Sequence, residues 1–343
     1  MDGHGPACCD VHAHFVPPEL VAELRAGSAP HGMGLESAPG APGQGEPFVV
    51  HSNGLRHRLD VELYDAQARA ALMDQLSIDV AAVSVQPTLL YYSLPPDEGL
   101  DWCRRVNDEA AQLVRDMAGR AVGVATLPMQ DSDAAVAEAE RAVQTLGLSG
   151  VQIAPLIGDR PLDDPDFFAV LECLDRLNVP VILHPNLSEN VSLPGLDKYG
   201  FVNTVGHPYQ TALGASRLIL SGVLDKLQRL RPVLVHGGGY LPYQIGRLDH
   251  AYKVRGQTAR CQEKPSSYLR RFTFDTLTHS PDALDYLIRL VGADRVAYGT
   301  DFPLEMGGGT ADEHLGDIEL DQDQRTLIKG RNCAELFGVR AAA

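Results

Sequence analysis

Short apolar runs of about six residues, rich in Val, Ile and Ala and bounded by Gly, Pro or Asp, recur along the whole chain. They fall at 7–13, 79–85, 121–127, 150–155, 179–184, 231–236, 271–276 and 294–300. Near-continuous hydrophobicity, rather than strict alternation, marks strands covered on both faces, as in a parallel sheet. Between these runs, apolar positions return at helical spacing and polar residues fill the opposite face. Helices are predicted over 65–75, 97–118, 131–146, 164–177, 209–230, 240–252, 281–291 and 321–337. Ser132 or Asp133 offers an N-cap for the third of these, and Pro165 suits the first turn of the fourth. A β/α alternation implies parallel strands joined by crossover helices. Eight repeats in a chain of 343 residues favour a closed (β/α)8 TIM barrel over an open doubly wound sheet. The expectation is one barrel domain over 1–343.

One stretch breaks the alternation. Residues 27–60 are rich in Gly and Pro, and only PFVVHS (47–52) and LRHRL (55–59) read as strands. These two pair as a hairpin over the Asn53-Gly54 turn signal. The segment is expected to be an insertion after the first strand, lying as a lid on the active-site side, because a βα loop of this length usually has such a role.

Charge and composition narrow the partners. With 45 acidic against 29 basic residues the formal net charge is −16, wrong for a surface that meets phosphates or anionic lipid. No run approaches the ~20 apolar residues of a membrane span, and the N-terminus lacks a basic stretch followed by an apolar one. The six cysteines form no CxxC pair and read as reduced thiols of a cytoplasmic protein.

Catalytic residues of such barrels sit at the C-terminal ends of the strands. The first strand ends in His12-Ala13-His14, the fifth in His184, the sixth in His236 and the seventh in Asp275, and the eighth runs into Asp301. Residues i and i+2 of a strand share a side, so His12 and His14 can hold one ion. Three imidazoles with one carboxylate form a ligand set that suits a divalent transition metal such as zinc. The remaining histidines, His4, His31, His51, His57, His207, His250, His279 and His314, read as structural, with His57 and His207 placed to border the pocket.

These strand-end residues resemble the pattern of the amidohydrolase superfamily. VHGGGYLPYQIGRLDHAY (235–252), the stretch 268–305 ending in GTDFPLE, and IKGRNCAELFGV (328–339) are similar to the aminocarboxymuconate-semialdehyde decarboxylase-like family. The resemblance runs from about residue 8 to 339. It implies that His12, His14, His184 and Asp301 hold one divalent metal, zinc or else manganese. His236 would then be the acid/base residue beside a metal-held water, with Asp301 sharing in the chemistry. A carbamylated lysine that would bridge two metals is missing, since the fourth strand reads GVQIAP and the nearest lysine is Lys198; one metal is therefore expected.

Zinc lowers the pKa of bound water toward about 7, and an imidazole with pKa near ~6.5 can take or return that proton. The resemblance further implies a homodimer in which Arg247 reaches the neighbouring subunit's site, and it assigns Arg58 to substrate as well. An arginine fork suits bidentate carboxylate binding. The loop after the fifth strand, HPNLSENVSLPG (184–195), lacks the tryptophan seen in the namesake decarboxylase, so its particular substrate does not carry over. The expected activity is non-oxidative decarboxylation of a small aromatic or muconate-type carboxylic acid. The alternative is a hydrolase or hydratase of the same fold. A barrel reduced to a binding module would lack a ligand, and none is missing.

Overall fold

The computed structural model describes residues 6–37, 46–186, 195–196 and 198–339. Eight parallel strands follow one another around a single sheet in chain order. They are β1 (Cys9–Phe15), β2 (Val80–Val85), β3 (Ala121–Thr126), β4 (Gly150–Ile153), β5 (Pro180–Leu183), β6 (Arg231–Leu234), β7 (Thr273–Asp275) and β8 (Val296–Ala297). The chain from β8 onward closes the ring against β1. Val11 N donates to Tyr298 O at 2.8 Å, Asp301 N to His12 O at 2.7 Å and His14 N to Phe302 O at 2.9 Å. This is the (β/α)8 barrel expected from the alternation.

The differences lie at element ends. β8 is shorter than 294–300, because Ala293–Arg295 form a 3-10 turn. The helix predicted over 209–230 is two, His207–Leu220 and Val223–Lys226, parted where Gly222 takes φ 76°. The one predicted over 321–337 runs as Gln322–Thr326, a π segment Leu327–Arg331 and Asn332–Phe337. The third helix, Ser132–Gln144, is capped by Asp131, whose carboxylate accepts from Ala134 N, rather than by Ser132 or Asp133. Pro18–Ala26 and Ala311–Leu315 are helices that the periodicity did not reveal. No helix among the described residues is long and apolar enough to cross a membrane.

The 27–60 segment carries the expected hairpin, with Val49 opposite His57. A further strand, Gly34–Glu36, pairs Leu35 with Val49 to make a three-stranded antiparallel sheet. Residues 38–45 of this segment lie outside the described residues, as do His4 and 187–194 of the loop after β5.

Two apolar layers hold the barrel. The outer faces of the strands, Ala13, Phe15, Ala81 and Val83 among them, pack on the helices. The interior is filled lower down by Cys9, Val11, Val80, Ala82, Ile182 and Val233, and closed by Cys333, Leu336 and Phe337 of Asn332–Phe337. In β1 the interior residues change parity, from Cys9 and Val11 below to His12 and His14 above. A register shift between Asp10 and Ala13 in the β1–β2 pairing supplies the extra residue. The bulge therefore lets an apolar floor and a histidine pair occupy one strand.

Candidate metal centre

At the C-terminal end of the barrel, the side chains of β1 meet those that follow β5, β6 and β8. His12 and His14 bring their Nε2 atoms within 3.1 Å of each other, with ring planes at 89°. Asp301 Oδ1 lies 2.9 Å from His14 Nε2 and 3.3 Å from His12 Nε2. The His184 ring is centred 5.0 Å from His12 and 4.9 Å from His14. His236 stands 5.4 Å from His12 and 5.3 Å from His184. One ligand atom from each of His12, His184, His236 and Asp301 falls within 4.8 Å of the others. His14 joins them through its close contacts with His12 and Asp301, so five groups converge on one place.

What surrounds the rings decides which nitrogen faces inward. His12 Nδ1 lies 2.9 Å from Asp275 Oδ2, which turns Nε2 to the centre. His184 Nδ1 lies 2.9 Å from Pro185 O, and its Nε2 is buried with no hydrogen-bond partner. His14 Nδ1 lies 3.2 Å from Ser84 Oγ, which itself donates to Gln152 Oε1 at 2.6 Å. Gln152, on β4, also donates to Val85 O. The inward polar residue of the fourth strand is thus an amide committed to hydrogen bonds, in accord with a centre for one metal.

Asp275 does more than end β7. Besides His12, it accepts the backbone N–H groups of His236 at 2.9 Å, Gly237 at 2.7 Å and Leu277 at 3.1 Å. It therefore orients one imidazole while tethering the turn that presents another. That turn is left-handed throughout, with φ 56° at His236 and 60°, 77° and 61° at the three glycines after it. A Cβ on Gly239 would lie 2.1 Å from Pro208 O, so the sequence HGGG is required by close approach as well as by φ. Asp301 is likewise at positive φ, 58°, and left-handed non-glycine residues concentrate where structure over-determines function.

The electrostatics follow from burial and pairing. Burial pushes His14 below its ordinary value and, with help from the neighbouring rings, holds His184 well below it. Burial also takes His236 down to about 4. It acts the same way on His12, but Asp301 and Asp275 outweigh it and raise that imidazole. For Asp301 burial would raise the pKa, and His12 and His14 instead keep it well below the carboxylate range. Neutral His14 and His184 beside a charged Asp301 are in the protonation states that metal ligation requires, whereas His12 would release its proton as an ion binds. The orphaned Nε2 of His184 and the inward Oδ1 of Asp301 fit a divalent cation.

His207 was placed only at the pocket's border, yet its ring stacks on His236 at 6.1 Å and 12°. Asp275 carried no role in the sequence beyond its place at a strand end, the one signal that pointed to it. A cavity of about 710 Å³ opens from His236 and Asp301, with Tyr240, Tyr243, Tyr286 and Leu287 among its walls. Neither arginine lines it. Arg58 ion-pairs with Asp60, and Arg247 is exposed on Leu241–Arg255.

A barrel with these strand-end groups has the architecture of a metal-dependent amidohydrolase, and the pattern of the amidohydrolase family matches residues 9–339. The chain belongs to that family. It is 30% identical over 284 residues to the 2-amino-3-carboxymuconate-6-semialdehyde decarboxylase of Dictyostelium discoideum, across 82% of this chain and 79% of that protein. The crystal structure of 5-carboxyvanillate decarboxylase from Sphingomonas paucimobilis matches with a TM-score of 0.81 and 25% identity, covering 97% of this chain and 99% of that one. A dihydroxybenzoic acid decarboxylase from a Polaromonas species, solved with manganese and 2-nitroresorcinol, matches at 0.77 and 25%, covering 97% of each chain.

Proposed function

We propose that this chain is a metal-dependent, non-oxidative carboxy-lyase for a small aromatic or muconate-type carboxylic acid. The observation that carries the reading is the convergence of four imidazoles and one carboxylate beside an aromatic-walled cavity. Of these, we assign Nε2 of His12, His14 and His184 and Oδ1 of Asp301 as the ligands, with His236 kept for proton transfer. They would hold one divalent metal, zinc by ligand type or manganese by analogy with the Polaromonas enzyme. When bound, the ion supplies Lewis acidity that draws electrons from the substrate's polar oxygens.

The chain's own groups do the rest. Loss of CO₂ leaves the C–C electron pair on the substrate carbon, and that carbon must take a proton. By this reading His236, which burial keeps neutral and which lines the cavity, accepts a proton from a substrate hydroxyl or water and returns one to carbon. By the same reading Asp301, which also lines the cavity, shares in that transfer. The apolar walls keep bulk water from the charge that develops.

Arg247 is the proposed carboxylate ligand of a partner subunit. In support, its helix exposes Tyr243 (78%) and Val254 (56%), side chains that a second copy would cover. Arg58 would contact substrate only by exchanging Asp60's carboxylate for the substrate's. The insertion over 27–60, of which residues 38–45 lie outside the described ones, is the proposed lid, and the cytoplasm the proposed compartment.

The test is an assay of metal-reconstituted protein on aromatic and muconate-type acids, following CO₂ and substrate absorbance together. Stoichiometric CO₂ is expected, with one metal per chain by elemental analysis. Substrate loss without CO₂ would instead identify the hydrolase or hydratase.

A further inference from the structure

We propose that Cys9 and Cys333 are a site of covalent modification, the two halves of an intrachain disulfide that joins β1 to the helix closing the barrel floor. Their Sγ atoms stand 2.6 Å apart, across 324 positions of sequence. A disulfide bond is about 2.05 Å long, so only about half an ångström of movement separates contact from bond. Both side chains are fully buried in the interior apolar layer with Val11, Leu336 and Phe337. Among the described residues no other pair of cysteines makes such a contact, although all six are free and buried.

The chemistry balances with a small-molecule disulfide such as glutathione disulfide as oxidant. One cysteine thiolate attacks it and releases a small thiol, and the second cysteine then displaces the other. Two protons and two electrons pass from the pair to the reagent. Burial raises the Cys333 thiol well above its ordinary value, so the docked pair is shielded and the exchange proceeds when Asn332–Phe337 lifts from the floor. In a reducing cytosol the pair rests as thiols, and the bond forms as small disulfides accumulate. Because β1 also carries His12 and His14, the bond would anchor the strand that presents two proposed metal ligands.

Peptide mapping of the wild-type protein tests this without any variant. After incubation with glutathione disulfide, free thiols are alkylated under denaturing conditions and the digest is analysed by mass spectrometry. A linked peptide pair containing residues 9 and 333, lighter by two hydrogens, is expected, with the other four cysteines alkylated. Reductant should then lower the unfolding midpoint of the oxidised protein by about 5–10 °C, and Cys333→Ala should lose that response while Cys8→Ala keeps it. Six alkylated cysteines after oxidation, or a link through Cys8 instead, would overturn the proposal.

Discussion

His184 gives one ring nitrogen to a backbone carbonyl and leaves the other buried with no partner. A buried unsatisfied polar atom costs about 1–3 kcal/mol, and an ion held there would offset that cost. His236 also has a buried nitrogen without a partner, Nδ1, but its ring lines the cavity and its backbone is tied to Asp275. His236→Ala is expected to keep the metal and lower turnover by roughly 10²–10⁴. Metal content and kcat measured on the same sample check this, and loss of metal would make His236 a ligand. Asp275→Asn should act on affinity instead. An amide accepts on one side only and cannot serve His12 Nδ1 and three backbone N–H groups together. Metal affinity is expected to fall about 10–100-fold, read by competition with a chromogenic chelator. The strand-end histidines and Asp301 were legible because a barrel fixes where strand ends lie. The stacking of His207 on His236 was not, since it depends on how a helix start packs against a turn 29 residues away in sequence.

At the scale of elements, periodicity placed all eight strands and most helices, while their ends answered to contacts that no local pattern encodes. The β1 bulge is one case. HxH shows that two histidines share a side, but only pairing with β2 reveals the shift that also turns Cys9 inward. The three-stranded sheet of the insertion has a consequence in pH. His51 Nδ1 meets Tyr91 Oη at 2.7 Å, and its Nε2 lies 3.1 Å from His57 Nδ1. Burial lowers His51 to about 4 and His57 to about 3, whereas both titrate near ~6.5 in the unfolded chain. Between those values the unfolded segment binds more protons, so its stability is full above about pH 6.5 and lost as the pH falls toward 4. Amide exchange over 48–58, corrected for intrinsic rates, is expected to show protection at pH 7 that declines by pH 4.5. Unchanged protection would mean that the two imidazoles are not confined as described.

For the whole molecule, a shared site makes a prediction that one subunit cannot. If Arg247 serves the partner's cavity, an Arg247→Ala chain and a His236→Ala chain are each inactive alone, yet their heterodimer contains one intact site. Mixing with demonstrated subunit exchange is expected to restore activity above either parent. No recovery would confine Arg247 to its own subunit or to the interface. The closure of β8 on β1 has another consequence, in the time a chain takes to be made. His14 and Asp301 are 287 residues apart in sequence yet touch at 2.9 Å. At about 5–20 residues per second a ribosome needs roughly 15–60 s to bring the second after the first. Throughout that interval the histidine pair is already synthesised but has no carboxylate to complete it. A nascent chain can therefore meet metal only through a partial, loosely held set, and full loading waits until the last strand has joined the first.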